Sequence, residues 1–222
     1  LSLSAFTATL AGTLDNHLRD QIYYRVGSDV TFLDLGDSPE DPSGGPPGAA
    51  AAQASASSDT GLGIKDPNPP GWFFLPVSDY LRIPGVKETT CVCRYTATAI
   101  FGNRSVSGTV LGIDRYNFPN IAFWRSDFAK DSLGELMNRL GAQPDGLLVP
   151  ESFWNEQVLS YGDLITLRII NYQQAKEVDF HVVGTFKLFP TYYPGKEPLF
   201  VGNLDYIFES IGGQYPYDVW ME

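Results

Sequence analysis

The sequence is poor in the residues on which most enzyme and metal chemistry depends. It contains two histidines and two cysteines in 222 residues, so a Ser-His-Asp arrangement or a His/Cys metal cage has few ways to form. No Walker loop, GxSxG elbow, HExxH helix or GxGxxG turn after a strand occurs. Basic residues are scarce too: 15 Lys+Arg stand against 26 Asp+Glu, for a net charge of −11. That balance repels phosphate backbones, and without a basic stripe it argues against nucleic-acid binding. No apolar run of eighteen residues occurs, so no segment reads as a membrane-spanning helix, and no basic-then-apolar leader is present. Because the first residue is Leu1, a preceding segment is expected in the parent protein.

What is present suffices for a folded core, with 43% hydrophobic and 14% aromatic residues. Leu3, Phe6, Leu10, Leu14, Leu18 and Ile22 recur at steps of three or four and predict an opening helix with one buried face. The absence of an N-terminal cap leads us to expect that this helix continues upstream. Val26, Val30 and Phe32 alternate with polar residues and predict a strand. From residue 36 to 70, seven prolines punctuate a Gly/Ala/Ser run, a composition that cannot bury enough apolar surface to order itself. It reads as a flexible insertion, either a tolerated surface segment or a recognition loop.

Order resumes with a helical turn over 78–81 and a β-hairpin from Cys91–Phe101 and Val106–Ile113, turning at Asn103. Cys91 and Cys93 fall on one face of that strand, at the upper limit of disulfide reach, and read best as two small buried hydrophobes. Ser132 and Glu135 predict a capping box for a helix over 133–140, stopped by Gly141. Strands are predicted over 147–149, 164–169, 178–188 and 218–221, with a further helix over 204–211. Strands cluster between helices without a strict βαβ rhythm. The expectation is therefore an α+β fold in one or two small lobes, spanning 1–222, with a second lobe over about 114–160.

No catalytic, cofactor or metal residue emerges. His17 reads as a helix-surface residue, and His181 as a solvent-facing strand residue beside Asp179, Thr185 and Lys187. Carboxylates near turns (Asp114, Asp127, Glu151, Glu156, Asp163) show no particular pairing of the kind a glycosidase needs. The better candidates for partner or ligand contact are the aromatics Trp72, Phe73, Trp124, Tyr192, Tyr193, Tyr215 and Tyr217. All flank turns, where they either grip a partner or clamp loops to the core. Asn103-Arg104-Ser105 matches a glycosylation sequon.

In order and spacing, several segments resemble the periplasmic core domain of MacB/FtsX-type ABC transporter permeases. These are the opening helix running into a strand, Ile83-Pro84-Gly85-Val86, Gly108 to Arg115, and Leu147-Leu148-Val149-Pro150-Glu151. Tyr161-Gly162-Asp163 with its following strand, and Phe180-His181-Val182-Val183-Gly184, complete the series. The resemblance implies a MacB-like α+β domain on the extracytoplasmic side of the plasma membrane, periplasmic or at the cell surface. It also implies a membrane part joined to an ABC ATPase subunit, a mechanical and non-enzymatic role without a cofactor, and an accessory protein, lipid or peptide as partner or cargo. The rival readings are a free-standing extracellular module that binds carbohydrate or peptide through loop aromatics, and a secreted hydrolase.

Overall fold

The computed structural model describes residues 2–36, 73–102, 104–171, 174–195 and 197–222. The proline-rich segment from 37 onward, Trp72 and Asn103 of the sequon lie outside them. The elements are α1 (Ser2–Val26), β1 (Val30–Asp34), a 3-10 turn (Val77–Arg82), β2 (Thr89–Phe101), β3 (Arg104–Ile113), α2 (Phe118–Ile121), α3 (Leu133–Ala142), β4 (Gly146–Pro150), α4 (Glu151–Gln157), β5 (Leu164–Asn171), β6 (Gln174–Phe186), β7 (Leu199–Asn203), α5 (Leu204–Ile211) and β8 (Tyr217–Met221). The fold is α+β.

All eight strands join one mixed sheet in the order β1-β8-β2-β3-β7-β4-β6-β5, and β5 also pairs back onto β2. Six strands therefore close into a ring, with β8 and β1 attached where β2 leaves it. Closure crowds β2, which pairs with β3 along its length and with β5 over Thr96–Ile100. Ala97 and Ala99, both fully buried, are the small side chains that this crowding requires. The segment 114–160 contributes α2, α3, α4 and β4, and β4 lies within the common sheet between β6 and β7.

Two apolar clusters flank the sheet. One gathers Cys93, Tyr95, Ile165, Leu167, Phe180 and Val182 with α5 residues Ile207 and Phe208. The other packs α2 and α3 against the opposite face, through Phe118, Leu136, Leu140, Leu148, Phe186 and Trp220. Phe186 belongs to this second cluster because the β4–β6 register slips between Leu147 and Leu148. An extra residue reverses the alternation of side chains beyond it.

Three expectations need correction. The opening stripe is not buried within this chain: Phe6, Leu10, Leu14, Leu18 and Ile22 are each at least half exposed. Val26 ends α1, and the first strand starts only at Val30, because Gly27 turns the chain at φ +91°. Gly141 does not stop α3, which runs to Ala142. Ser132 does cap it, accepting a bond from the Glu135 amide at 3.2 Å. The Glu135 carboxylate turns instead to Arg139. Among the described residues no helix is long and apolar enough to cross a membrane.

Candidate functional site

Helix α1 is about 37 Å long at 1.5 Å per residue. Every described side chain from Phe6 to Arg19 is exposed, and the contacts to the body come from the last turns. There Asp20 pairs with Arg125 at 2.8 Å, and Arg125 also pairs with Asp127 at 3.0 Å. Tyr23 stacks on Phe123 at 5.8 Å. Tyr24 meets the rings of Phe128 and Tyr193 edge-on, each at 5.5 Å. The Tyr24 hydroxyl donates to the Tyr192 carbonyl, and the Thr191 amide donates to the Tyr24 carbonyl at 2.9 Å. Burial pushes the Tyr24 hydroxyl up to about 12, against the opposing effect of a hydrogen bond from the Phe189 backbone. It stays a neutral donor.

The socket is made by two loops, 122–128 and 189–193. Trp124 braces it by touching Phe128 at 5.4 Å and Phe189 at 5.7 Å. Immediately beyond, β1 pairs with β8 in antiparallel register, with Val30 opposite Met221 and Asp34 opposite Tyr217. The Glu222 carbonyl accepts from the Lys87 amide at 2.7 Å. The chain thus enters the sheet from α1 and reaches Glu222 at adjoining points.

The aromatics singled out in the sequence divide between two places. Trp124, Tyr192 and Tyr193 belong to the α1 socket, where Tyr192 is buried and Tyr193 partly exposed. Phe73, Tyr215 and Tyr217 lie near the start of β8. Phe73 is exposed, Tyr215 and Tyr217 are buried, and Tyr217 packs on Phe74 at 4.9 Å. Sequence reasoning missed Tyr23, Tyr24, Arg125 and Phe128. The signal was available in Tyr23-Tyr24, two aromatics ending a stripe otherwise aliphatic from Leu10 onward.

The polar residues singled out in the sequence have local partners. His181 is not simply solvent-facing: its Nδ1 lies 2.7 Å from an Asp145 carboxylate oxygen, with both side chains about one-third exposed. His17 lies 3.1 Å from Gln21 on α1. No group of three or more metal-ligating side chains gathers among the described residues. Cys91 and Cys93 are free thiols. Burial pushes both up to about 12, which suppresses the thiolate that redox or nucleophilic chemistry needs.

Two clefts remain. A smaller one of about 330 Å³ lies among Asp131, Arg139, Glu151, Trp154, Asn155 and Tyr161. Trp154 and Tyr161 pack there at 4.8 Å, and Arg139 pairs with Asp131 at 2.9 Å. A larger one of about 530 Å³ lies beside β2, between the chain around Phe74 and the start of α5.

No family model and no curated protein sequence matches this chain. Among solved structures, it is similar to the extracellular domain of the noncanonic ABC-type transporter YknZ from Gram-positive bacteria. That likeness has 13% identity, 66% of this chain, 70% of that chain and a TM-score of 0.47. It is also similar to the periplasmic region of MacB from Actinobacillus actinomycetemcomitans, at 11% identity over 88% of this chain and 75% of that one, with a TM-score of 0.43.

Proposed function

We propose that this chain is a non-catalytic extracytoplasmic domain of an FtsX/MacB-like ABC transporter permease, coupling ATP-driven movement of membrane helices to cargo or an accessory protein. The observation that carries the proposal is the junction of α1, β1 and β8. A 25-residue helix is gripped at its base, and Val30 at the start of β1 lies opposite Met221 at the end of β8. A movement of α1 therefore reaches the sheet through one compact joint. An isolated helix with its apolar stripe in water is marginal, so α1 calls for a covering surface other than the described body. The ordered motifs of the sequence support the same reading. Ile83-Pro84-Gly85-Val86 leads toward β2, Gly108 to Arg115 closes β3, and Phe180 to Gly184 lies within β6.

The test uses the full parent protein reconstituted with its ATPase in lipid nanodiscs. Spin labels replace Thr13 on α1 and Arg168 on β5, and their separation is measured with and without ATP. The expected result is a shift on the scale of one helical turn, roughly 5 Å. An unchanged distance while ATP is hydrolysed would remove the coupling role. A parent that associates with no ATPase would remove the family assignment.

One observation favours a second reading, a carbohydrate-binding module. Tyr161 is 59% exposed and packs with Trp154 beside carboxylate, amide and guanidinium groups, a combination on which a sugar ring can stack. Glycan-array binding by the isolated domain, lost in Tyr161→Ala, would select it.

A further inference from the structure

The larger cleft has a lining suited to a ligand of definite charge. Its apolar wall comes from Phe74 and Leu75 on one side and from Leu204 and Phe208 on the other, with Cys91 and Tyr217 between them. Asp114 and Asp205 also line it, and no lysine, arginine or histidine does. Its volume of about 530 Å³ falls within the range of small-molecule sites, roughly 300–1,000 Å³.

The two carboxylates differ in their surroundings. Asp114 closes a turn, accepting from the Tyr116 amide at 3.0 Å and from the Asn117 side chain at 2.7 Å. Asp205 lies exposed in the first turn of α5 and makes no ion pair among the described residues. The Cys91 thiol and the Tyr217 hydroxyl stay neutral. Burial pushes the Cys91 thiol up to about 12 and raises the Tyr217 hydroxyl as well. Thr90 also lies on the lining. It is 1% exposed, and its hydroxyl has no hydrogen-bond partner among the described residues. A buried hydroxyl left in that state is uncommon.

We infer that this cleft binds an organic cation: an apolar or aromatic body that fills the space between Phe74 and Phe208, bearing an ammonium group held by Asp205 and Asp114. Burying the body removes apolar surface from water. The ammonium finds carboxylates and the ring of Tyr217 in the lining; the Tyr116 ring already carries the Arg115 guanidinium, 4.1 Å from its centroid. The chain's net charge of −11 adds a field that attracts cations and repels anions of the same shape. This assignment does not rest on the transporter reading, since either a transport domain or a free-standing module could use such a site.

The experiment titrates the isotopically labelled 222-residue chain with three probes of one shape: phenethylamine, phenethyl alcohol and phenylacetate. Amide shifts of Cys91, Asp205, Phe208 and Tyr217 report binding. Phenethylamine should move them saturably, phenethyl alcohol more weakly, and phenylacetate least. Asp205→Asn removes a charge from an exposed position and should weaken phenethylamine about fivefold. Asp127→Asn, remote from the cleft, should change nothing. Added salt should weaken the amine and spare the alcohol. Equal binding of amine and alcohol would overturn the role of the carboxylates. Absence of any shift with all three probes would overturn the site, as would a cleft filled by the chain's own residues 37–72.

Discussion

A Cβ placed on Gly27 would lie 2.3 Å from the indole ring of Trp220. The ring fills the space where any other residue would carry its side chain, at the point where α1 meets the sheet. Gly27 also has φ +91°, a conformation that side chains resist. Both effects oppose substitution. Gly27→Ala should cost about 2–4 kcal/mol of stability, measured by urea denaturation. A change within about 0.5 kcal/mol, the scale of a neutral surface substitution, would mean that the junction after α1 does not seat on the indole.

Leu136 on α3 and Phe180 on β6 are both fully buried, on opposite faces of the sheet. Leu136→Ala should cost about 2–5 kcal/mol and Phe180→Ala about 3–5 kcal/mol. Chemical denaturation of each variant checks this. Near-neutral behaviour at either position would show that its face of the sheet is not packed as described.

Alkaline pH should destabilise the protein. Burial pushes Cys91, Cys93, Tyr24 and Tyr80 up to about 12, from ordinary values of 9.0 for the thiols and 10.0 for the phenols. The unfolded chain releases these protons near pH 9–10, whereas the folded chain keeps them to near pH 12. Their contribution is therefore whole below about pH 9 and is lost as pH rises toward 12. Melting temperature should fall across that window. At neutral pH neither cysteine should react with iodoacetamide until the chain is unfolded.

Replacing residues 36–70 with a short Gly/Ser linker that keeps Gly36 should leave the melting temperature nearly unchanged. Gly36 and Phe74 already touch, since a Cβ on Gly36 would lie 2.6 Å from the Phe74 ring. The segment thus leaves and rejoins the body at one place, and its composition offers little apolar surface to bury. A fall of more than about 4 °C, the scale of 1 kcal/mol or more in a domain of this size, would show that it packs on the body.

Much of the fold was legible where local chemistry and burial agree. Ser132 with Leu133, Leu136, Met137 and Leu140 marked α3. The alternation of Cys93, Tyr95 and Ala97 against Arg94 and Thr96 marked β2. Strand β7 escaped because Leu199–Asn203 is buried on both faces and so shows no alternation. Helix α4 escaped because it begins behind Pro150 without a side-chain cap. The stripe on α1 shows why periodicity alone stops short. It reveals that a helix has an apolar face but not whether the covering surface belongs to the same chain. The socket was hidden for a related reason. Tyr24 and Tyr192 lie 168 positions apart, and no local pattern links them. Pairing of β5 back onto β2 was equally invisible, being set by which residues meet over about 70 positions of chain.

The antiparallel register of β1 and β8 has a mechanical consequence. Val30 and Met221 form the first rung of that ladder, and the chain on either side, Asp29 and Glu222, emerges at the same end. A pull between those two points acts across the strands, so the backbone bonds yield in succession, as a zipper does. Loading the pair in shear would instead require all the rungs to break together. Within this pair of strands, separation of Asp29 from Glu222 thus loads one rung at a time. A push through α1, by contrast, meets the packed rings of Tyr23, Tyr24, Phe123 and Phe128. Compression along the helix is therefore borne by side-chain packing, not by the ladder alone.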